Sequence, residues 1–128
     1  MKKLFTWYKK YSVNNEELDN HHKALFDIFN RLYANCLAGS SSNSLEPLIA
    51  ELVAYADYHF AAEEKYMTAV GYKDSDRHIA EHKLFAERIL QFHGDKNAYH
   101  CENAKELIVF LGNWLLNHVM VEDKRISL

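Results

Sequence analysis

The chain has 128 residues, 48% apolar and 26% charged, with four glycines, one proline and a formal charge of -3 when its eight histidines are neutral. That is the balance of a soluble globular protein, and it is enough chain to bury a core in one domain, residues 1–128, without a disulfide or a structural metal for folding. A mildly acidic chain with no stripe of Lys and Arg offers no electrostatic footprint for nucleic acid.

The basic start MKKLFTWYKKY leads into no apolar run of signal-peptide or membrane-spanning length, so the expected location is cytoplasmic. Cys36 and Cys101 form no C-x-x-C pair and read as reduced core thiols. The first residues form an irregular arm, with Trp7 and Tyr8 expected to fold back onto the body of the protein.

After the arm, Leu18, His22, Leu25, Phe29, Leu32 and Cys36 recur at steps of three and four, one stripe of a long amphipathic helix that should stop at Gly39. Beyond the polar run GSSSNS, Ser44 can cap a second helix with Pro47 in its first turn. Its stripe reads Leu48, Leu52, Tyr55, His59, Glu63 and Tyr66, and Gly71 ends it. Ser75 or Asp76 can open a third helix, striped His78, His82, Phe85, Ile89 and Phe92 before Gly94. A loop, GDKNAYHCEN, precedes a fourth helix with Ala104, Leu107, Leu111, Trp114, Leu115 and His118 on one face. Four such segments with short connections and no competing strand pattern predict an all-α fold, an antiparallel up-down-up-down four-helix bundle.

Every stripe carries a histidine where the periodicity assigns core. HFAAE sets His59 and Glu63 four apart, and HIAEH does the same for His78 and His82. Each pair therefore shares a face at a spacing of about 6 Å. HVMVED places Asp123 five after His118, about 140° around a regular helix, so Asp123 is expected near the helix end with its carboxylate swung back. One stripe histidine alone is an ordinary hydrogen-bonded core residue. Seven buried polar residues with no inward Lys or Arg would be prohibitively costly, and a bound cation removes that cost.

Five imidazoles and two carboxylates exceed the needs of one ion, and ligation by nitrogen and oxygen without thiolate suits iron, manganese or zinc. Two metals are indicated. With both carboxylates and an oxide or hydroxide bridging, the histidines divide as three and two, leaving one metal an open position for a small molecule such as dioxygen.

The pattern H…HxxxE…HxxxH…HxxxxD, together with FTWYKKYSV ahead of LDNHHKALF, resembles the hemerythrins over nearly the whole chain, in particular single-domain bacterial hemerythrins. The resemblance implies two iron ions, Fe(II) or Fe(III), with a bridging oxide or hydroxide, and reversible dioxygen binding for storage, transport or delivery rather than an enzyme activity. It implies His78, His82 and His118 as ligands of the saturated iron, His22 and His59 as ligands of the iron with the open position, and Glu63 and Asp123 as bridges. His21 stands where many members have glutamine, and with His93 and His100 it is taken as non-ligating. Phe60, Trp114, Leu115 and Val119 flank these residues and suit an apolar oxygen pocket.

A di-iron oxidase or peroxidase is the main rival, but the Glu-x-x-His pairs of oxygen-activating ferritin-like sites do not occur among these stripes. Oxygen, redox or nitric oxide sensing is another. Dioxygen is the expected partner, with an oxygen-consuming enzyme as a possible recipient, no nucleic acid and no membrane segment. The chain is expected to be a monomer or a weak homo-oligomer.

Overall fold

The computed structural model describes residues 5–37, 42–94 and 101–126. It is a four-helix bundle: α1 (Glu16–Leu37), α2 (Ser42–Val70), α3 (Ser75–Gly94) and α4 (Cys101–Trp114), with no strand among the described residues. The fourth helix continues through a π-helical segment, Leu115–Glu122, into a last α turn, α5 (Asp123–Ile126). α2 packs against both α1 and α3, and α1 also packs against α4. No helix among the described residues is long and apolar enough to cross a membrane.

Local chemistry sets the helix ends. Asn15 Oδ1 accepts the N–H of Leu18 at 3.1 Å, which caps the first turn of α1. At the end of α2, Gly71 takes φ +66 while its N–H reaches the Thr68 carbonyl and the Tyr72 N–H that of Met67. That pair of bonds is a Schellman ending, and the positive φ is why glycine stands there. α2 begins at Ser42, two residues before the expected cap, so Pro47 lies in the second turn rather than the first. Ser75 is already helical, and its hydroxyl donates to the Tyr72 carbonyl at 2.5 Å instead of capping. The expected stop at Gly39, His100, and the side chains of Ser44, Cys101 and Ala104 lie outside the described residues.

The stripes meet in one core, including Leu25, Phe29, Leu52, Phe85, Leu111 and Leu115. In α2 the last core position is Met67, fully buried, while Tyr66 is half-buried; four steps from Glu63 track the stripe more closely there than three. Cys36 packs half-buried against this core. The arm folds back as expected for Trp7, whose ring meets Phe26 edge-on at 5.5 Å, whereas Tyr8 is exposed. Asn30 fastens the arm by accepting the Phe5 N–H and donating to its carbonyl. Asp19 does the same further along, accepting from Ser12 Oγ and the Val13 N–H.

Candidate metal centre

All seven polar stripe residues are buried: His22, His59, Glu63, His78, His82, His118 and Asp123 are each at most 4% exposed. They come together at one level of the bundle, contributed by α1, α2, α3 and the π-to-α5 junction. One cluster comprises Glu63, His78, His82, His118 and Asp123, and a second comprises His22, His59, Glu63 and Asp123. Within each, one ligand atom per residue lies inside 4.8 Å of every other. The two clusters share the carboxylates of Glu63 and Asp123 and nothing else.

The five-residue step from His118 to Asp123 is accommodated by the backbone. In the π segment the N–H of Asp123 bonds the carbonyl of His118, an i to i+5 bond, so five residues close one turn. The expectation of a side chain swung back from a helix end is corrected accordingly. His118 Nε2 and Asp123 Oδ1 stand 3.0 Å apart on a shared face.

All five imidazoles turn Nε2 toward the carboxylates. His78 and His82 reach Glu63 Oε1 at 2.6 and 2.9 Å, His59 lies 3.3 Å from Glu63 Oε2, and His22 lies 3.1 Å from Asp123 Oδ2. Yet Nε2 of His22 and of His118 and both oxygens of Asp123 make no hydrogen bond among the described residues, despite these separations. Atoms this close, buried and unbonded converge on common points rather than on one another. That is the arrangement a cation completes, and nitrogen and oxygen donors without thiolate suit iron, manganese or zinc.

The electrostatics agree. Burial alone would raise the pKa of Glu63, but the surrounding imidazoles outweigh it and hold the carboxyl well below its usual range. Asp123 is likewise lowered: His118 and His22 overcome both burial and the repulsion of Glu63. Burial opposes protonation of His22 and His78, but Asp123 and Glu63 raise them to about 9 and about 10. For His59 burial prevails and the shift is downward. Protonated His22 and His78 thus offset the repulsion between the two carboxylates, and a cation bound here would displace those protons.

Aromatic rings wall the centre. Phe60 stacks on His82 and Trp114 on His118, each at 3.9 Å, so two of the four residues expected to line an oxygen pocket lie against the three-histidine cluster. Leu115 and Val119 are buried in the core. Beside the two-histidine cluster, Tyr55 stacks on His59 at 5.1 Å and Trp7 lies 6.5 Å from His22. Sequence reasoning placed Tyr55 in the core stripe but missed that its hydroxyl is fully buried with no partner among the described residues.

Three outer residues were also missed. His21 Nδ1 is 3.0 Å from His59 Nδ1, Glu64 Oε2 is 3.0 Å from His82 Nδ1, and Glu81 Oε2 is 3.2 Å from His118 Nδ1. The only sequence signal for them was adjacency to a stripe residue. His93, by contrast, is exposed near the end of α3, lining a groove of about 770 Å³ between α2 and α3.

Residues 13–127 match the family model described as the hemerythrin HHE cation binding domain. A bacteriohemerythrin from Clostridium acetobutylicum is 28% identical over 94% of this chain and 97% of its own length. A hemerythrin-like protein from Naegleria gruberi is 34% identical over 94% of this chain and 89% of its own. A crystal structure of wild-type hemerythrin superposes with a TM-score of 0.81 at 27% identity, covering 97% of this chain and 95% of that one. With the bundle, the buried cluster and the match of nearly the full length in agreement, the chain belongs to the hemerythrin family.

Proposed function

We propose that the chain holds two iron ions at this centre and binds dioxygen reversibly, as a store or carrier. The observation that carries the reading is the sharing of Glu63 and Asp123 between two otherwise separate histidine clusters. His78, His82 and His118 would be the terminal ligands of one ion, and His22 and His59 those of the other. Glu63 and Asp123, shared by both clusters, would bridge them, alongside an oxide or hydroxide.

A pair of ferrous ions held here would supply the two electrons that dioxygen binding needs and recover them on its release. The chain's own contribution is to set the ligand count and to keep the pocket dry. Three histidines would fill one position, and two would leave the other short by one donor. Phe60, Leu115 and Val119, with half-buried Trp114, give a low-polarity surround that excludes water and outside reductant. Imidazoles outnumber carboxylates five to two, which lessens support for high-valent iron and favours release over turnover. This argues for binding rather than oxidase or peroxidase chemistry.

The test is anaerobic Fe(II) loading with metal analysis, followed by cycles of oxygenation and inert-gas purging under a visible spectrometer. Two irons per chain and an absorption band that comes and goes over several cycles are expected. Irreversible oxidation at two irons per chain would replace this reading with a redox enzyme or sensor, and failure to hold two irons would remove the centre.

A further inference from the structure

The five histidines all direct Nε2 at the carboxylates, so what distinguishes them is the far nitrogen, Nδ1. In a neutral imidazole that binds a cation through Nε2, Nδ1 carries the proton, and the acceptor of that proton tunes the ligand. The two halves of the centre differ in this acceptor.

In the three-histidine half, His82 Nδ1 donates to the Glu64 carboxylate at 3.0 Å. His118 Nδ1 lies 3.2 Å from the Glu81 carboxylate; this contact is bent outside hydrogen-bond geometry, so it acts through charge. Both imidazoles thus face an anion from behind. In the two-histidine half, His59 Nδ1 meets the neutral ring of His21 at 3.0 Å, with no anionic partner among the described residues. His22 Nδ1 is buried with no partner among the described residues. An anionic acceptor draws the Nδ1 proton and makes Nε2 a stronger donor, whereas a neutral ring fixes the tautomer without adding charge. The His21–His59 contact also dictates tautomers: His59 carries its proton on Nδ1, and His21 accepts there and keeps its own on Nε2.

We propose that Glu64, Glu81 and His21 are positioning residues that grade the two metal positions, making the His78, His82 and His118 half the tighter site for a divalent cation and the His22 and His59 half the weaker. The metals consequently load in order, the three-histidine position first. The inference rests on the metal-centre reading above and adds to it the cause of the inequality. Ligand number alone would also rank the halves, so the decisive variants change the outer residues and leave every ligand in place.

The experiment titrates Co(II) into chelator-treated full-length protein against a competing chromophoric chelator, with circular dichroism confirming the fold of each variant. Wild type should take up two equivalents in two resolved steps. Glu64→Gln and Glu81→Gln should each weaken the first step about tenfold and leave the second in place, the scale on which outer partners of metal-bound histidines act. His21→Glu, which places an anion behind His59, should strengthen the second step about tenfold. His21→Ala should weaken the second step, with His21→Gln restoring it. The ¹⁵N shifts of His59 in a zinc-loaded sample should report a proton on Nδ1 in wild type and in His21→Gln. Two equivalents whose affinities do not move in Glu64→Gln and His21→Glu would overturn the grading while leaving the centre intact. Uptake of fewer than two equivalents by wild type would overturn both.

Discussion

His118 and Asp123 are five residues apart but a single helical turn apart, because the Asp123 N–H bonds the His118 carbonyl. The extra residue is taken up in a π segment that keeps both side chains on the side facing the polar cluster. Deleting exposed Val121 should convert this segment to regular α-helix and leave Asp123 four after His118, as Glu63 stands four after His59. Such a variant should still take up two metals. Deleting exposed Asn113, in the regular part of α4, should rotate Leu107 and Leu111 about 100° away from Leu115 and His118 and abolish the fold. Metal analysis and circular dichroism on the two deletions check this; equal damage from both would refute the role given to the π segment.

Metal content separates ligands from bystanders. His82→Ala should lose at least one of two metal equivalents, whereas His93→Ala should keep both, since His93 lies on the exposed end of α3. Equal loading of the two variants would undo the sorting of histidines.

Trp114 stacks on His118 without offering a ligand atom, so its replacement should act on access rather than on assembly. Trp114→Ala should retain two irons and oxidise severalfold faster in air, read from the decay of the oxygen-dependent band. Loss of iron from a folded variant would contradict this.

The Tyr55 hydroxyl is buried with no partner among the described residues, a burden of about 1–3 kcal/mol for a group so placed. Tyr55→Phe should leave the metal-free protein as stable as wild type, or more so by about 1 kcal/mol, because the ring is kept and only the orphan group is removed. Tyr55→Ala should cost about 3–5 kcal/mol by opening a cavity. Denaturant melts decide, and a large loss in Tyr55→Phe would mean that the hydroxyl has a partner.

The metal-free protein should be sensitive to alkali. His22 and His78 keep their protons to about 9 and about 10, against about 6.5 in an unfolded chain. A raised value contributes stability that is complete below the unfolded value and lost as pH rises through the folded one. Glu63 and Asp123, held low, contribute above about pH 4 and lose that contribution on acidification. The metal-free form should therefore melt earlier at pH 10 than at pH 6. With metal bound the imidazoles are neutral, and the alkaline loss should disappear. Matching alkaline slopes in the two forms would count against cation binding by these histidines.

The bundle was legible because the stripes recur at helical spacing over four segments, and the gathering of the seven polar residues because each lies on the core-facing side of its stripe or one turn from it. The π segment was visible only as a spacing that did not fit, since sequence periodicity shows that a turn is irregular but not which backbone bond has moved. His21 lies about 100° off the stripe of α1, and it acquires its role from the closeness of α2, which brings His59 within reach. Glu64 and Glu81 were hidden for the same reason: each follows or precedes a stripe residue, and one-dimensional spacing does not register a contact made across a helix interface.

The ammonium of Lys124 donates to the carbonyl of Ser12 at 2.8 Å, tying the turn that bears Asp123 to the arm that precedes α1. These residues are 112 apart in the chain, while the pairing of α1 with α2 and of α2 with α3 joins consecutive segments. Closing so long a loop is entropically slow compared with pairing neighbours, so the helical hairpins form ahead of this contact. His118 and Asp123, on the C-terminal helix, are therefore expected to join the other five last. A nascent chain exposes three helices' worth of histidines before the second carboxylate can join them, and completion of the candidate cation site would report that folding has finished.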